Sequence, residues 1–276
     1  MGGGTISGNT ATTKGTSVGS KAMGGAVCVS GSGSKFIMEG NSPSISDNEV
    51  KTAGSGSNLS TIGGGVCVCD GATFEMKAGS IENNKALEGD KRYFGHTGGG
   101  VCVGDSVDGG TSGATFTMKG GTISDNEAGY GGGIHGKAHG SNNGEIVVSG
   151  NSTISNNIAD SGGGITSEYK LSIKEYDSKT PTIKENKANS ICGGIYLRYN
   201  NILSFTGGTV TGNTVFDSFG LGKGMYLETN GTKVEMSGSA TVDKNNDVHL
   251  GGLNPTDYAY ITVTGALTEP HAATLT

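Results

Sequence analysis

Hydrophobic residues recur along the chain in short alternating runs, and each run follows glycine or a turn. One complete unit spans residues 98–126. It opens with Gly-Gly-Gly-Val-Cys-Val, passes through a polar loop and ends with Ala-Thr-Phe-Thr-Met-Lys-Gly-Gly-Thr-Ile-Ser-Asp-Asn. Alternation with a period of two over three to five residues is typical of β-strands, and no stretch shows the sustained 3.6-residue period of a helix. The unit therefore predicts three short strands.

Related units fill nearly the whole sequence. The first strand of each unit has an outward central position, occupied in turn by Cys28, Cys67, Cys102, His135, Thr166, Tyr196 and Tyr226. The second carries an apolar pair such as Phe36 and Met38, and the third reads Gly-Thr-Ile-Ser-x-Asn or a relative of it. Polar or glycine-rich insertions at residues 49–62, 85–97, 104–114 and 136–144 are predicted to be surface loops.

Strands this short cannot bury an apolar face alone, so neighbouring repeats must stack. We predict an all-β fold, a parallel β-helix with three short strands per coil and about seven to eight coils. The right hand is expected from known proteins with this pattern. We expect one domain over residues 1–276, with a partial coil at 1–9 and a degenerate coil plus closing strand at 246–276. Because the chain opens in mid-repeat, we expect a fragment of a longer protein.

The asparagine that ends each third strand has a structural interpretation. Asparagine tolerates the left-handed conformation, and its amide can hydrogen-bond to copies above and below. Neutral amides alone bind cations weakly, which argues against a row of ligands. The predicted ladder consists of Asn48, Asn84, Asn126, Asn157, Asn186 and Asn213.

Composition and charge exclude several kinds of partner. The formal net charge is −6 and the basic residues are scattered, which disfavours nucleic acid and anionic membranes. Glycine accounts for 53 residues without a strict period of three, which excludes collagen. No apolar run has the ~20 residues of a membrane-spanning helix, and no signal peptide is visible at Met1.

The chain resembles repeat-built bacterial surface proteins, of the polymorphic outer-membrane-protein-like and adhesin-like β-helix types. The stretches that carry this resemblance are Gly-Gly-Ala-Val at 24–27, Gly-Gly-Gly-Val, Thr-Phe-Thr-Met-Lys-Gly-Gly-Thr-Ile-Ser-Asp-Asn and the closing Ile-Thr-Val-Thr-Gly-Ala-Leu-Thr. The Phe-x-x-Asn tetrapeptide of the first type does not occur. The resemblance implies an exported protein, extracellular or on the bacterial cell surface, that displays loops to a host or bacterial ligand.

A patch of tyrosines and charges is the most distinctive outward feature. Stacking the repeats places Glu168, Arg198 and Glu228 on successive coils beside Tyr196 and Tyr226. Tyr169 and Tyr199 are expected to stack outward one place further on. Either these residues only pair across strands, or they form a platform for a glycan or protein. Under the second interpretation, Tyr196→Ala with Tyr226→Ala would weaken binding and shift the thermal midpoint by only a few degrees.

Two further sets of residues are weaker candidates. Arg92 and Tyr93, in the charged insertion at 85–97, are candidate ligand-binding residues, although this insertion could equally be a solvated loop. Cys67 and Cys102 lie on adjacent coils at a Cα spacing that permits a disulfide, or they are free thiols. His135 is predicted to be a loop histidine. The sequence predicts no metal site, because Cys67 and Cys69 lack the usual zinc-site spacer, and it predicts no cofactor.

Enzymatic function is the main alternative to binding. Parallel β-helices also host polysaccharide lyases and glycoside hydrolases, which need paired carboxyl groups. Arg198 lies between Glu168 and Glu228 and is expected to keep both ionised, so no catalytic acid is predicted there. Rows of outward Ser and Thr would also suit an ice- or crystal-binding face, but charged residues interrupt them. The sequence therefore favours a non-catalytic, surface-displayed scaffold for adhesion.

Overall fold

The structure is a computed structural model that describes residues 1–15, 19–53, 59–87, 95–105, 113–138, 144–217, 220–228, 231–252 and 258–276. Its regular elements are all β-strands. The part of the chain that is described contains no helix with the length and apolar character needed to span a bilayer. The candidate residues Arg92 and Tyr93 lie outside the described residues.

The strands are short, as the two-residue alternation predicts. In chain order they are β1 (Thr5–Ser7), β2 (Thr10–Thr13), β3 (Lys21–Met23), β4 (Val27–Ser30), β5 (Lys35–Met38), β6 (Ser44–Ser46), β7 (Glu49–Thr52), β8 (Ser60–Ile62), β9 (Val66–Cys69), β10 (Thr73–Met76), β11 (Ser80–Glu82), β12 (Lys85–Ala86), β13 (His96–Thr97), β14 (Val101–Val103), β15 (Thr115–Ser124), β16 (Glu127–Tyr130), β17 (Ile134–Gly136), β18 (Glu145–Ser155), β19 (Ile158–Ser161), β20 (Ile165–Ser167), β21 (Lys170–Lys174), β22 (Thr182–Lys184), β23 (Lys187–Ile191), β24 (Ile195–Leu197), β25 (Ile202–Thr211), β26 (Thr214–Val215), β27 (Met225–Leu227), β28 (Lys233–Val242), β29 (Asp247–Leu250), β30 (Tyr260–Leu267) and β31 (Thr274–Leu275).

These strands form three parallel sheets of 12, 10 and 9 strands within the described residues, and the central coils pass through all three, whereas β28 is followed directly by β29 of the 9-stranded sheet. In a central coil, β14 lies in the 9-stranded sheet, β15 in the 12-stranded sheet and β16 in the 10-stranded sheet. Like residues pair in register between coils, as in Phe36, Phe74 and Phe116. The fold is the predicted right-handed parallel β-helix.

The strand assignment within each coil differs from the sequence prediction. The predicted second and third strands lie in one sheet, and in β15 and β18 they are continuous. The remaining sheet is built from residues that follow the ladder asparagine, including β7, β12 and β13 from the supposed loops at 49–62 and 85–97. The alternation in these strands is too short to recognise: β7 and β12 each bury one small side chain, Val50 or Ala86, and the two-residue strand β13 buries the polar residues His96 and Thr97.

The core runs along the axis of the helix as columns of identical or similar side chains. Phe36 and Phe74 stack with ring centroids 4.9 Å apart, and Phe74 and Phe116 continue the column at 5.7 Å. Offset and tilted aromatic pairs at such distances add stability beyond the area they bury. Most apolar positions predicted to point inward are buried, including Val66 and Val68 with no exposure, whereas Val27 and Phe36 in the first coils are half-buried.

The asparagine ladder is confirmed and is longer than predicted. Each side-chain oxygen accepts hydrogen bonds from the backbone N–H and the amide group of the preceding ladder asparagine, as Asn126 does from Asn84 at 2.9 Å each. The ladder begins at Asn9 and ends at Asn246. The last ladder position is Asn246 rather than Asn245, whose side chain is exposed because that turn contains one extra residue.

The left-handed conformation falls on a different residue from the one expected. The residues immediately before the ladder asparagines up to Asn213 take it, including Asp47 at φ 56° and Asp125 at φ 58°. The ladder asparagines therefore serve through their amide hydrogen bonds. Their neighbours turn the chain from one sheet into the next.

Candidate functional site

The outward face of the 9-stranded sheet is largely covered. Cys102, His135, Thr166 and Tyr196, which pair in register along this face, are at most 4% exposed. The end of the preceding strand lies across each of them. Thr97 Oγ1 is 3.6 Å from Cys102 Sγ, for example, and Thr166 Oγ1 donates to the Ser161 carbonyl at 3.2 Å. The glycine-rich corner that joins the two strands, which we call the Gly-Gly corner, thus folds the 10-stranded sheet back over these four side chains. A groove results between the two sheets.

A cavity of about 480 Å³ occupies this groove. Strands β16, β17 and β24 and the residues that follow them supply most of its wall. Its described lining consists of Thr97, Tyr130, His135, Lys137, Glu168, Arg198 and Tyr199. We call this the Arg198 cavity.

Arg198 is held at the centre of the wall by rings and carboxylates. Its guanidinium carbon lies 5.1 Å from the ring centroid of Tyr130, 5.5 Å from that of Tyr196 and 4.5 Å from that of Tyr199. Nη1 donates to Glu168 Oε1 at 3.0 Å, and Nη2 donates to the Tyr199 hydroxyl at 2.8 Å. These contacts fix the orientation of the guanidinium without a ligand.

Glu228, on the next coil, makes the remaining contacts of this group of side chains. Its Oε1 accepts a 2.8 Å hydrogen bond from the Tyr196 hydroxyl. Its Oε2 lies 3.5 Å from Arg198 Nε, an ion-pair contact without hydrogen-bond geometry. Within the described residues, the buried Nε–H of Arg198 therefore has no hydrogen-bond acceptor.

The electrostatics of Glu168 differ from the sequence expectation. Burial raises the pKa of Glu168 above its ordinary value, although the adjacent Arg198 charge and the backbone N–H of Ala138 act in the opposite direction. The sequence led us to expect no carboxyl with a raised pKa beside Arg198, and for Glu168 that expectation was wrong. The cost of removing a carboxylate from water outweighs the attraction of a cation that is itself partly desolvated.

His135 is a wall residue and lies in strand β17, so its assignment to a loop was wrong. It is 2% exposed, and Nδ1 has no hydrogen-bond partner among the described residues. Burial, reinforced by the charges of Lys137 and Arg198, lowers the pKa of His135 to about 3. The imidazole is therefore neutral at physiological pH.

Lys137 is held beside the cavity by a carboxylate behind the wall. Fully buried Asp105 accepts a 2.8 Å hydrogen bond from Lys137 and one of 2.6 Å from Lys21. Burial would raise the pKa of Asp105, but the two ammonium groups prevail and lower it to about 2. Asp105 is therefore ionised and fixes the position of the Lys137 ammonium group.

The tyrosines predicted from sequence to form the outward patch differ in exposure. Tyr199 is 57% exposed and faces the cavity, as expected of a ligand-binding ring. Tyr196 is 4% exposed and Tyr226 is half-buried between Tyr196 and His249, with centroid distances of 5.4 and 5.3 Å. Because Tyr196 is buried and Tyr226 half-buried, we expect the double replacement to lower the thermal midpoint by more than the few degrees expected from the sequence.

Tyr169 does not stack outward with Tyr199, and that expectation was wrong. It is 2% exposed and packs in the main core. Its side chain lies close to the backbone of Gly104 and Gly144, where the missing Cβ atoms leave room for the ring. Tyr130, Thr97 and Lys137, by contrast, were not recognised as wall residues because they lie outside the repeated apolar positions.

All five cysteines are free thiols, and the structure does not contain a Cys67–Cys102 disulfide. The sulfurs of Cys28, Cys67 and Cys69 instead form a cluster, all within 4.8 Å of one another. Hydrogen bonds from Cys67 and Cys69 lower the pKa of the Cys28 thiol, and the same contact with Cys28 raises that of Cys67. This three-thiol cluster was not predicted from sequence.

Comparison with models of protein families, with curated proteins and with solved structures finds no significant match to this chain. Its function must therefore be inferred from the geometry of its own sites. The Arg198 cavity combines flat aromatic rings with fixed donors and acceptors of both charges, which suits the recognition of a polar ligand with apolar faces.

Proposed function

We propose that this chain is a non-catalytic binding scaffold that holds a glycan in the Arg198 cavity. The observation that carries the proposal is the pre-formed arrangement of Arg198 among three tyrosine rings and two carboxylates. A sugar ring presents apolar C–H faces and a rim of hydroxyl groups. Tyr199 offers an exposed ring for such a face, and the charged groups offer partners for the hydroxyls.

The charge of the cavity favours a neutral sugar over a polyanion. The charged groups in and behind the wall balance three cations against three carboxyl groups: Lys21, Lys137 and Arg198 against Asp105, Glu168 and Glu228. Because Arg198 and Lys137 are already paired, an acidic ligand would have to displace a carboxylate to reach them. Hydroxyl groups can instead add to the network without disrupting it.

The test compares two exposed tyrosines that each lie near a cation. Tyr199→Ala removes a ring that faces the cavity, whereas Tyr176→Ala removes a 50% exposed ring elsewhere, with Lys119 Nζ 5.6 Å from its centroid. On an array of neutral oligosaccharides, followed by calorimetry with the best binder, we expect Tyr199→Ala to weaken Kd by about 3- to 10-fold. Tyr176→Ala should bind like the wild type.

Two results would contradict the glycan proposal. One is a wild-type protein that retains no oligosaccharide from the panel. The other is an equal loss of affinity in both variants, which would place the binding surface elsewhere. Thermal midpoints measured on the same samples separate loss of binding from loss of folding, and both tyrosines are exposed enough for their removal to be tolerated.

We also propose that this scaffold is displayed outside a bacterial cell as part of a longer parent chain. This part of the proposal is supported by the resemblance of the repeats to bacterial surface β-helices. A rigid stack of coils with polar loops is a suitable carrier for a binding site exposed to the environment. The full open reading frame tests this part, since an export signal together with a surface anchor is the expected finding.

One observation favours a second candidate, a carbohydrate-active enzyme. Glu168 has a raised pKa and lines the cavity with neutral His135, and a carboxylic acid with a raised pKa is what glycosidic cleavage requires of its general acid. Release of reducing ends from oligosaccharides that bind, abolished by Glu168→Gln, would favour this function. Binding without turnover would favour the scaffold.

A further inference from the structure

The three-thiol cluster lies outside the Arg198 cavity and has no role in the proposed function. Cys28 belongs to β4, and Cys67 and Cys69 belong to β9 in the next coil. The two strands are parallel and in register, with Cys28 opposite Cys67 and Ser30 opposite Cys69. Since Val66 and Val68 fill the core, Cys67 and Cys69 share the other face of β9 and meet Cys28 there.

We propose that Cys28, Cys67 and Cys69 form a binding site for a thiophilic closed-shell metal ion, Zn(II) or Cu(I). Their three sulfurs lie within 4.8 Å of one another. Two sulfurs bound to one ion at ~2.3 Å, at trigonal or tetrahedral angles, are about 3.8–4.0 Å apart. Small side-chain rotations would therefore bring the thiols to bonding distance, with the backbone of both strands left in place.

The surroundings of the cluster suit capture of an ion from solution. Cys28 is exposed, whereas Cys67 and Cys69 are buried, so the site is open on one side and closed on the other. Cys69 already leans towards the first coil, with its sulfur 3.7 Å from the Val29 carbonyl oxygen. In the described part of the chain no fourth His, Cys, Asp or Glu joins the group. Three sulfurs suffice for Cu(I), and a solvent molecule would complete a tetrahedral Zn(II) site.

Metal binding would also have a structural consequence. Among the described strands, β4 lies at the edge of the 9-stranded sheet and pairs only with β9. An ion held by one thiol of β4 and two of β9 would clamp this edge strand to the stack. Each ligating thiol loses its proton to solvent, so uptake releases up to three protons and strengthens with rising pH.

The test uses the full chain, reduced with a phosphine and kept anaerobic. We expect it to bind one equivalent of metal with an apparent Kd below about 1 μM. Co(II) should produce sulfur-to-metal charge-transfer absorption that Zn(II) abolishes, and a chromophoric competitor should report Cu(I) binding. The thermal midpoint should rise with the bound ion. Binding of either ion supports the proposal. The ion that displaces the other from the protein is the one that the site prefers.

Single substitutions locate the site. Cys28→Ser alters an exposed residue and should weaken binding by more than about 100-fold, because it removes a direct ligand rather than a supporting contact. Cys69→Ser should do the same. Cys102→Ser is the matched control. Cys102 lies on the coil after Cys67 and pairs with it in register, but it is outside the cluster, so affinity and stoichiometry should not change.

Three results would overturn the proposal. The first is a wild-type protein that takes up no stoichiometric metal after reduction, whether or not it was isolated with a Cys28–Cys67 disulfide. The second is wild-type affinity in Cys28→Ser. The third is loss of binding in a folded Cys102→Ser, which would place the ion between other thiols.

Discussion

The asparagine ladder allows a sharp prediction of stability, and Asn126 lies near its middle. Its oxygen accepts hydrogen bonds from the backbone N–H and the amide of Asn84, both at 2.9 Å. Its own amide donates to the Ile81 carbonyl at 3.0 Å and to Asn157 Oδ1 at 2.9 Å. Asn126→Ala removes all four hydrogen bonds at a site with no exposure to solvent.

The expected cost follows from the groups that lose their partners. A buried polar group left unsatisfied costs about 1–3 kcal/mol, so the two Asn84 donors alone imply about 2–6 kcal/mol. This is a large share of the ~5–15 kcal/mol that stabilises most proteins. At about 2–4 °C per kcal/mol for a chain of this size, the midpoint should fall by at least roughly 4 °C.

Thermal and urea unfolding of Asn126→Ala and Asn245→Ala provide the measurement and its control. Asn245 is also an asparagine in a turn, but it is exposed and its side chain makes no ladder contact, so its replacement should stay within about 0.5 kcal/mol of wild type. Equal midpoints for the two variants would refute the view that the ladder stabilises the stack.

Asn126→Asp adds a pH dependence to this test. One oxygen of the new carboxyl still accepts the hydrogen bonds from Asn84. The other replaces the amide nitrogen and faces two acceptors, the Ile81 carbonyl oxygen and Asn157 Oδ1. Burial and this contact favour the protonated form, so the pKa of the folded state should exceed the unfolded value. The variant should therefore be most stable at low pH and lose stability as pH rises through the folded pKa.

Two further predictions concern the groove and the corners. Because the pKa of His135 is lowered to about 3 from an ordinary 6.5, folding excludes its proton, and stability should fall as pH drops from about 6.5 towards 3. The free energy of unfolding, measured by urea unfolding at several pH values, should depend less on pH in His135→Gln, by up to ~1.4 kcal/mol per pH unit. An unchanged pH dependence would contradict the burial of the ring. Gly133→Ala would place a Cβ 2.6 Å from the Gly164 carbonyl oxygen and should destabilise the chain by about 1–3 kcal/mol or more in thermal unfolding. Gly2→Ala, whose Cβ would meet no atom within 4 Å, is its control, and equal midpoints would contradict the close approach of the coils.

Much of the architecture was predictable because neighbouring coils repeat the same local chemistry. The alternation around Phe116 and Met118 determines which side chains enter the core, and in-register stacking follows once every coil has the same pattern. The ladder was predictable for the same reason. Some strands that follow a ladder asparagine were not, since a single buried side chain such as Val50 in β7 or Ala86 in β12 gives no periodic signal.

The candidate site was only partly predictable. Arg198, Glu168 and Glu228 were recognised because they align on successive coils at one position of the repeat. Tyr130 was not recognised, because it comes from the strand that folds back across the groove. The burial of Tyr196 and the raised pKa of Glu168 follow from that covering. Tyr169 instead enters the core, where Gly104 and Gly144 leave room for its ring.

The amino-acid sequence by itself determined the repeat, the inward-facing residues and the asparagine ladder, because side-chain direction within a strand and pairing between copies are local properties. Tertiary structure alone decided which outward residues meet. The angle of each Gly-Gly corner brings Thr97 onto Cys102 and Tyr130 beside His135. The register of adjacent coils brings Cys28 to Cys67 and Cys69. Both candidate sites depend on these contacts between separate strands, which no single stretch of sequence specifies.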